Sequence, residues 1–135
     1  MGLKRLDHVN VCTTQLEKLK AFYSDVLGLE PGPRPNFSFG GAWMYCGAFP
    51  IVHLVERAAL TPTSGDLRLQ HFAISADDLE GFLARLKRLS VEYRVGFVED
   101  FELCQINVHD PDGNHVHIDF PLADARRLGV ERTPR

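Results

Sequence analysis

A self-match constrains this chain more than any single motif in it. Displaced by 63 residues, Leu6, His8, Leu16 and Glu17 fall on Leu69, His71, Leu79 and Glu80; displaced by 64, His53 falls on His117. A period of that length means one supersecondary module built twice. At 135 residues and 44% hydrophobic content, the chain can bury a real core but is short for two ordinary independent domains. The expectation is a single domain over 1–135: module one about 5–57, a linker about 58–68, module two about 69–120 and a charged tail 121–135.

Each module opens with an alternating strand. Leu6, His8, Asn10 and Cys12 share one face of the first strand, and His71, Ala73 and Ser75 share one face of its counterpart. A helix follows in both. Thr14-Gln-Leu-Glu17 and Asp77-Asp-Leu-Glu80 have the form of capping boxes. Leu16, Leu19, Phe22, Tyr23, Val26 and Leu27 recur at helical spacing up to a stop at Gly28, as do Leu79, Phe82, Leu83, Leu86 and Leu89 in the second module. Pro31 to Gly41 is rich in Pro, Gly and Asn, so it is a loop or at most an edge strand, or a flap over a pocket. Ala42–Cys46 and Pro50–Glu56 are expected as strands in module one, and Val91–Val98, Leu103–His109 and His115–Phe120 in module two. The last two are joined by the turn Asp110-Pro-Asp-Gly-Asn114. Ala58 to Gly65 is the best linker, and the tail from Pro121 is expected as a short helix or as disorder.

Four histidines occupy repeat-equivalent positions: His8 and His71 on first strands, His53 and His117 on last strands. Their strand neighbours, such as Val9, Leu54, Phe72 and Ile118, are apolar and point to the helix layer, so the histidines point to the opposite face. One strand histidine is usually only a satisfied polar residue. Four at matched parity, lining a shared cleft if the sheets curl around one, predict a divalent metal site with His8, His53, His71 and His117 as ligands, because neutral imidazole is the commonest ligand for such ions. His115, beside the turn, is expected to support the ligands or be exposed, and His109 to lie at the surface.

Composition narrows the partners. A net charge of −3 leaves no basic stripe for nucleic acid, and no apolar run is long enough to span a bilayer. Cys12, Cys46 and Cys104 lack metal-finger spacing, no charged leader opens the chain, and an odd number of thiols suits a reducing cytoplasm. No dinucleotide fingerprint, phosphate loop or Ser-His-Asp pattern is present.

Asp7-His8-Val9 with Phe22-Tyr-Ser-Asp-Val-Leu-Gly-Leu29, Gln70-His71-Phe-Ala-Ile74 and Asp110-Pro-Asp-Gly-Asn114 together resemble the vicinal oxygen chelate superfamily over roughly residues 5 to 120. That group includes glyoxalase I, bleomycin-binding proteins, fosfomycin-resistance proteins, methylmalonyl-CoA epimerase and extradiol dioxygenases. The resemblance implies an α+β fold of two βαβββ modules forming half-open barrels, commonly a homodimer, and a divalent transition metal such as Zn, Ni, Fe or Co. His8 and His71 fall on the family's usual first-strand ligands. His53 stands where glyoxalase-like members often have Glu or Gln, and His117 where metal-binding members nearly always have Glu. His117 is therefore expected to serve as ligand or base, with Asp119, of the same parity, restoring a carboxylate nearby.

Glyoxalase-like lyase or isomerase chemistry on a small oxygen-chelating substrate is the leading expectation. An Fe(II) extradiol dioxygenase would use His8, His71 and His117, but such enzymes normally carry a tyrosine on the strand before the last, where Gln105 and Asn107 face inward. A non-catalytic binder of bleomycin type would need aromatic walls, which Phe37, Phe39, Trp43 and Tyr45 could form. Asn10, Trp43, Gln105 and Asn107 are the expected substrate contacts.

Overall fold

The computed structural model describes residue 2 and residues 4–61 and 68–135. It divides into two compact units, Met1–Ser64 and Gly65–Arg135. Most of the expected linker falls on residues 62–67, outside the described residues.

The first unit contains β1 (Val9–Thr13), α1 (Leu16–Ala21, continued by a π-helical turn Phe22–Val26), β2 (Glu30–Gly32), β3 (Gly41–Cys46) and β4 (Phe49–Glu56). Its sheet order is β1-β4-β3-β2, with β1 parallel to β4 and the remaining pairs antiparallel. Alternation sets the layers. Ala42 and Met44 of β3 and Val52 and Leu54 of β4 are buried, as are Leu19, Phe22, Tyr23 and Val26 of the helical segment. Gly28, at φ 80°, ends the helix, and its N–H donates to Ser24 O. The edge strand β2 takes only the first residues of the Pro- and Gly-rich stretch.

The second unit repeats this plan with β5 (His71–Ser75), α2 (Leu79–Arg88), β6 (Arg94–Val98), β7 (Leu103–His109), β8 (His115–Pro121) and an added helix α3 (Leu122–Leu128). Its order is β5-β8-β7-β6, again with the first and last strands parallel. Cys104, Ile106, Val108, Val116, Ile118 and Phe120 face the helical side and are buried with Leu79, Phe82, Leu86, Leu122 and Ala125. The expected α+β architecture of two βαβββ modules is therefore present, and neither sheet closes into a barrel.

The turn between β7 and β8 is fixed by one carboxylate. Asp110 is 4% exposed; its Oδ1 accepts the N–H groups of Asp112 and Asn114, each at 2.9 Å, and its Oδ2 accepts Asn114 Nδ2 at 2.8 Å. Gly113, at φ 84°, supplies the left-handed residue that closes the turn. This locks the register His109↔His115 and Asn107↔His117.

Both capping expectations shift by one residue. In α1 the cap is Gln15 without a side-chain bond, and the hydroxyl of buried Thr13, not Thr14, accepts Gln15 N–H at 3.0 Å. In α2 the cap is Asp78, not Asp77: it adopts φ 60° and its carboxylate accepts Gly81 N–H at 3.0 Å. A Cβ at position 81 would lie 2.3 Å from Asp78 Oδ2, so only glycine lets the carboxylate approach that closely. Leu69 and residues 91–93 lie outside strands. The tail also departs from expectation: beyond α3 it pairs with the edge of β6, through Thr133 N–H to Val95 O at 3.0 Å and Val95 N–H to Thr133 Oγ1 at 2.8 Å.

Asp110→Ala removes the three hydrogen bonds to its carboxylate that close the turn and should cost about 2 kcal/mol. A lower denaturation midpoint at unchanged m-value checks this; a change within about 0.5 kcal/mol would remove Asp110 as the organiser of the turn.

Candidate functional site

In each unit the histidine of the last strand lies near the centre of the sheet's polar face. β4 and β8 are flanked on both sides, so their side chains are the most enclosed; His53 and His117 are each 8% exposed. His71 opens β5 at a sheet edge, whereas His8, expected on the first strand, lies one residue before β1; both are more open.

The parallel pairing brings the two expected histidines of each unit together. In the first unit Asn10 lies opposite His53, and His8, two residues earlier on the same face, stacks on His53 with ring centroids 3.8 Å apart and planes within 9°. Trp43, opposite His53 on β3, stacks on it at 4.0 Å, so His53 belongs to a three-ring stack. In the second unit Ala73 lies opposite His117, and His71, again two residues earlier, meets His117 at 4.8 Å with planes inclined by 41°. The same two-residue offset in both units gives the sequence repeat a physical meaning.

The hydrogen bonds of three of these rings share a polarity. His8 Nδ1 donates to Asp7 Oδ2 at 2.7 Å, His117 Nδ1 to Asp119 Oδ1 at 2.6 Å, and His71 Nδ1 to Gln70 Oε1. Carboxylate and amide oxygens only accept, so Nδ1 carries the proton in all three and the Nε2 lone pair is free of it. That is the state in which a histidine binds a metal through Nε2 while its other nitrogen is held by an oxygen acceptor. The Nε2 of His53 is buried without a hydrogen-bond partner among the described residues.

The donor chemistry fits a borderline divalent ion. Still, among the described residues no three His, Cys, Asp or Glu side chains form a ready ligand group. The reason is visible in the first unit. Imidazole lone pairs lie in the ring plane, so two stacked rings direct them side by side. His8, with a side chain 39% exposed, must turn about its side-chain torsions before it and His53 could share an ion.

Gln105 and Asn107 share the histidine face, opposite Asp119 and His117. Asn10 is exposed and Trp43 half-buried. Phe37 and Phe39 stack on each other at 4.8 Å with the Arg34 guanidinium over both rings, whereas Tyr45 donates its hydroxyl to Pro33 O. The expected aromatic wall therefore splits into two groups. His115 is more than an exposed neighbour of the turn. It is half-buried opposite His71, 5.2 Å from that ring and 6.0 Å from His117, and stacks at 5.1 Å on exposed His109. Its polarity is reversed: Nε2 bonds to Asn107 Oδ1 at 2.8 Å. Shared parity with His117 was the available signal; proximity to the turn obscured it.

Burial, followed by repulsion from His8, lowers the pKa of His53 below 6.5; burial, followed by His109, His71 and His117, lowers that of His115. Asp7 is lowered chiefly by its hydrogen bond to His8. Burial, with Asp119 nearby, pushes the Cys104 thiol up to about 11, marking it as an inert core residue.

Comparison with known proteins gives a consistent picture. The model of the Glyoxalase/Bleomycin resistance protein/Dioxygenase superfamily matches residues 5–118. Mitochondrial methylmalonyl-CoA epimerase from Bos taurus is 30% identical over 109 residues, covering 70% of this chain and 62% of the bovine protein, so the chain spans less than two thirds of that relative. Among solved structures, a glyoxalase family protein from Bacillus anthracis aligns with a TM-score of 0.72 at 23% identity, covering 88% of this chain and 96% of that one. TnmS3, an antibiotic binding protein from Streptomyces sp. CB03234, aligns with a TM-score of 0.66 at 23% identity, covering 90% and 98%.

The lowered histidines set a pH dependence for metal-free protein. Between their folded values and 6.5 the unfolded chain binds more protons than the folded one. Unfolding free energy therefore rises with pH through this window and is lost as pH falls below 6.5. Denaturation midpoints measured from about pH 5 to 7.5 should show the slope, and His53→Gln and His115→Gln should each flatten it; an unchanged slope in both variants would contradict the assignment.

Proposed function

Because the chain belongs to the Glyoxalase/Bleomycin resistance protein/Dioxygenase superfamily, we propose that it is a metal-dependent enzyme acting on a small substrate that chelates through neighbouring oxygens, with isomerase or lyase chemistry of glyoxalase type. The observation that carries this reading is the common polarity of His8, His71 and His117: each Nδ1 is held by an oxygen acceptor, which leaves the Nε2 lone pair for a ligand bond. His8 and His53 in the first unit and His71 and His117 in the second are the proposed ligands. A bound divalent ion would polarise the substrate's oxygens as a Lewis acid.

The chain's own residues supply the rest. Asp119 fixes the tautomer and orientation of His117; where His117 serves as base in place of ligand, its free Nε2 takes up the proton removed beside a carbonyl and Asp119 stabilises the positive charge on the ring. Asn107 and Gln105 flank the pair on β7 and offer amide groups to polar parts of a substrate. The same face of β7 carries Gln105, Asn107 and His109 and no tyrosine, which favours proton transfer over dioxygenase chemistry. The bovine relative, an epimerase by name, supports the same class. Membership also supports a small-molecule partner and a homodimer.

A second reading rests on a separate observation. The stack of Trp43, His53 and His8 is a flat aromatic surface of the kind that holds planar ligands, which favours a non-catalytic binding protein.

Titration with Zn, Ni, Co or Fe(II) separates the two. The enzyme reading expects tight uptake, near-complete loss of it in His117→Ala, and a 10–100-fold loss of affinity or activity, roughly, in Asp119→Asn. Turnover of a hemithioacetal, or exchange of the acidic proton of methylmalonyl-CoA, would identify isomerase chemistry; oxygen uptake with catechols would identify the dioxygenase. Failure to take up any transition metal would sink the enzyme reading and leave the binding one.

A further inference from the structure

The second unit contains a pocket of about 370 Å³ that the histidine chemistry does not use. Its charged walls are Arg94 on the edge strand β6 and Arg132 and Arg135 on the tail, with Asn107, His109 and His115 on the sheet side. No acidic residue lines it, and among the described residues none of the three arginines forms an ion pair with a carboxylate.

The arginines are held there by the backbone. The two bonds between Val95 and Thr133 clip the tail along β6, and Arg94 Nη2 donates to Pro134 O, which fixes the two residues between Arg132 and Arg135. Three guanidinium groups around one cavity repel one another, and a tail free in solution would spread them. Tying them down without an internal counter-charge builds a positive potential that an anion relieves, and guanidinium forks match the oxygens of phosphate and carboxylate in pairs. The floor is open: a Cβ at Gly96 would meet nothing nearer than Asn107 Nδ2 at 3.8 Å.

The pocket joins the candidate ligands through two side chains. His115 lines it and touches the His71 and His117 rings, and Asn107 lines it while lying opposite His117. We propose that this pocket binds the acidic end of the substrate, a phosphate- or carboxylate-bearing group, while the reacting oxygens lie toward His71 and His117. The assignment of the anion as substrate rests on the enzyme reading above; the anion site itself does not.

Isothermal titration at low salt, with inorganic pyrophosphate and malonate as probes and glycerol as a neutral control, tests it. Saturable binding of at least one anion and none of glycerol is expected, with amide shifts at Gly96 and Thr133. Arg132→Gln with Arg135→Gln should weaken binding about tenfold or more while keeping metal uptake, since the backbone clip is retained. Arg94→Gln should weaken it comparably. His117→Ala should lose metal uptake yet still bind the anion, so failure of the metal site and failure of the anion site are read separately. Tighter pyrophosphate binding assigns a phosphate-bearing substrate and tighter malonate binding a carboxylate-bearing one. No saturable binding up to about 10 mM, or equal binding by the Arg132/Arg135 variant, overturns the proposal.

Discussion

The parallel pairing of the first strand with the last is the constraint on which each unit depends. It makes β4 and β8 central, flanked on both sides, so one face of each must be apolar against the helices and the other is left for polar groups. It also decides which histidines meet. A one-residue slip between β5 and β8 would turn His117 into the helix layer and expose Ile118, exchanging a polar residue for an apolar one in the core. The buried positions Val116, Ile118 and Phe120 forbid that slip, and the Asp110 turn fixes the other side of the same strand against β7. Site geometry and core stability are thus consequences of one register.

That dependence explains why so much was legible in the sequence. Period-two alternation reports faces directly, and the repeat reports which strands are equivalent, so the residues alone place the four histidines on the polar face; that His8 meets His53 and His71 meets His117 follows from the parallel pairing, which they do not encode. The failures are local and have local causes. A capping box is a four-residue pattern that tolerates displacement, and at Thr13 and Asp78 the bend leaving the strand chose the neighbouring oxygen. The tail carries no periodicity because its order comes from two bonds to an edge strand, a long-range pairing that no local pattern encodes. For His115 the residues left two alternatives, support of the ligands or exposure, and its cross-strand neighbours His71 and His109 decide for the first by half-burying it.

The polarity of the histidines is the part of the site that the sequence only half shows. Asp7 and Gln70 precede His8 and His71 directly, and Asp119 follows His117 by two on the same face, so these three acceptors are visible as neighbours. The surroundings of His53 are not: its ring is stacked against both His8 and Trp43 and its Nε2 is buried without a partner, contacts made across strands that residue types do not encode.

Neutral imidazoles such as His71 and His117 would leave the full charge of a divalent ion in place, and the charges near them matter accordingly. Asp119, held against His117, is the carboxylate positioned to offset part of that charge from within the same unit. The arginine-lined pocket acts in the opposite sense, bringing three positive groups to the far side of His115. An acidic substrate would meet opposed requirements, its anionic end drawn to the arginines and its reacting oxygens drawn toward the histidines. Two separated attractions orient a small molecule better than one, because a single charged contact leaves it free to rotate. On this account the neutral His117 and the ordering of a basic tail act together: both raise the affinity of the same polar face for negative charge.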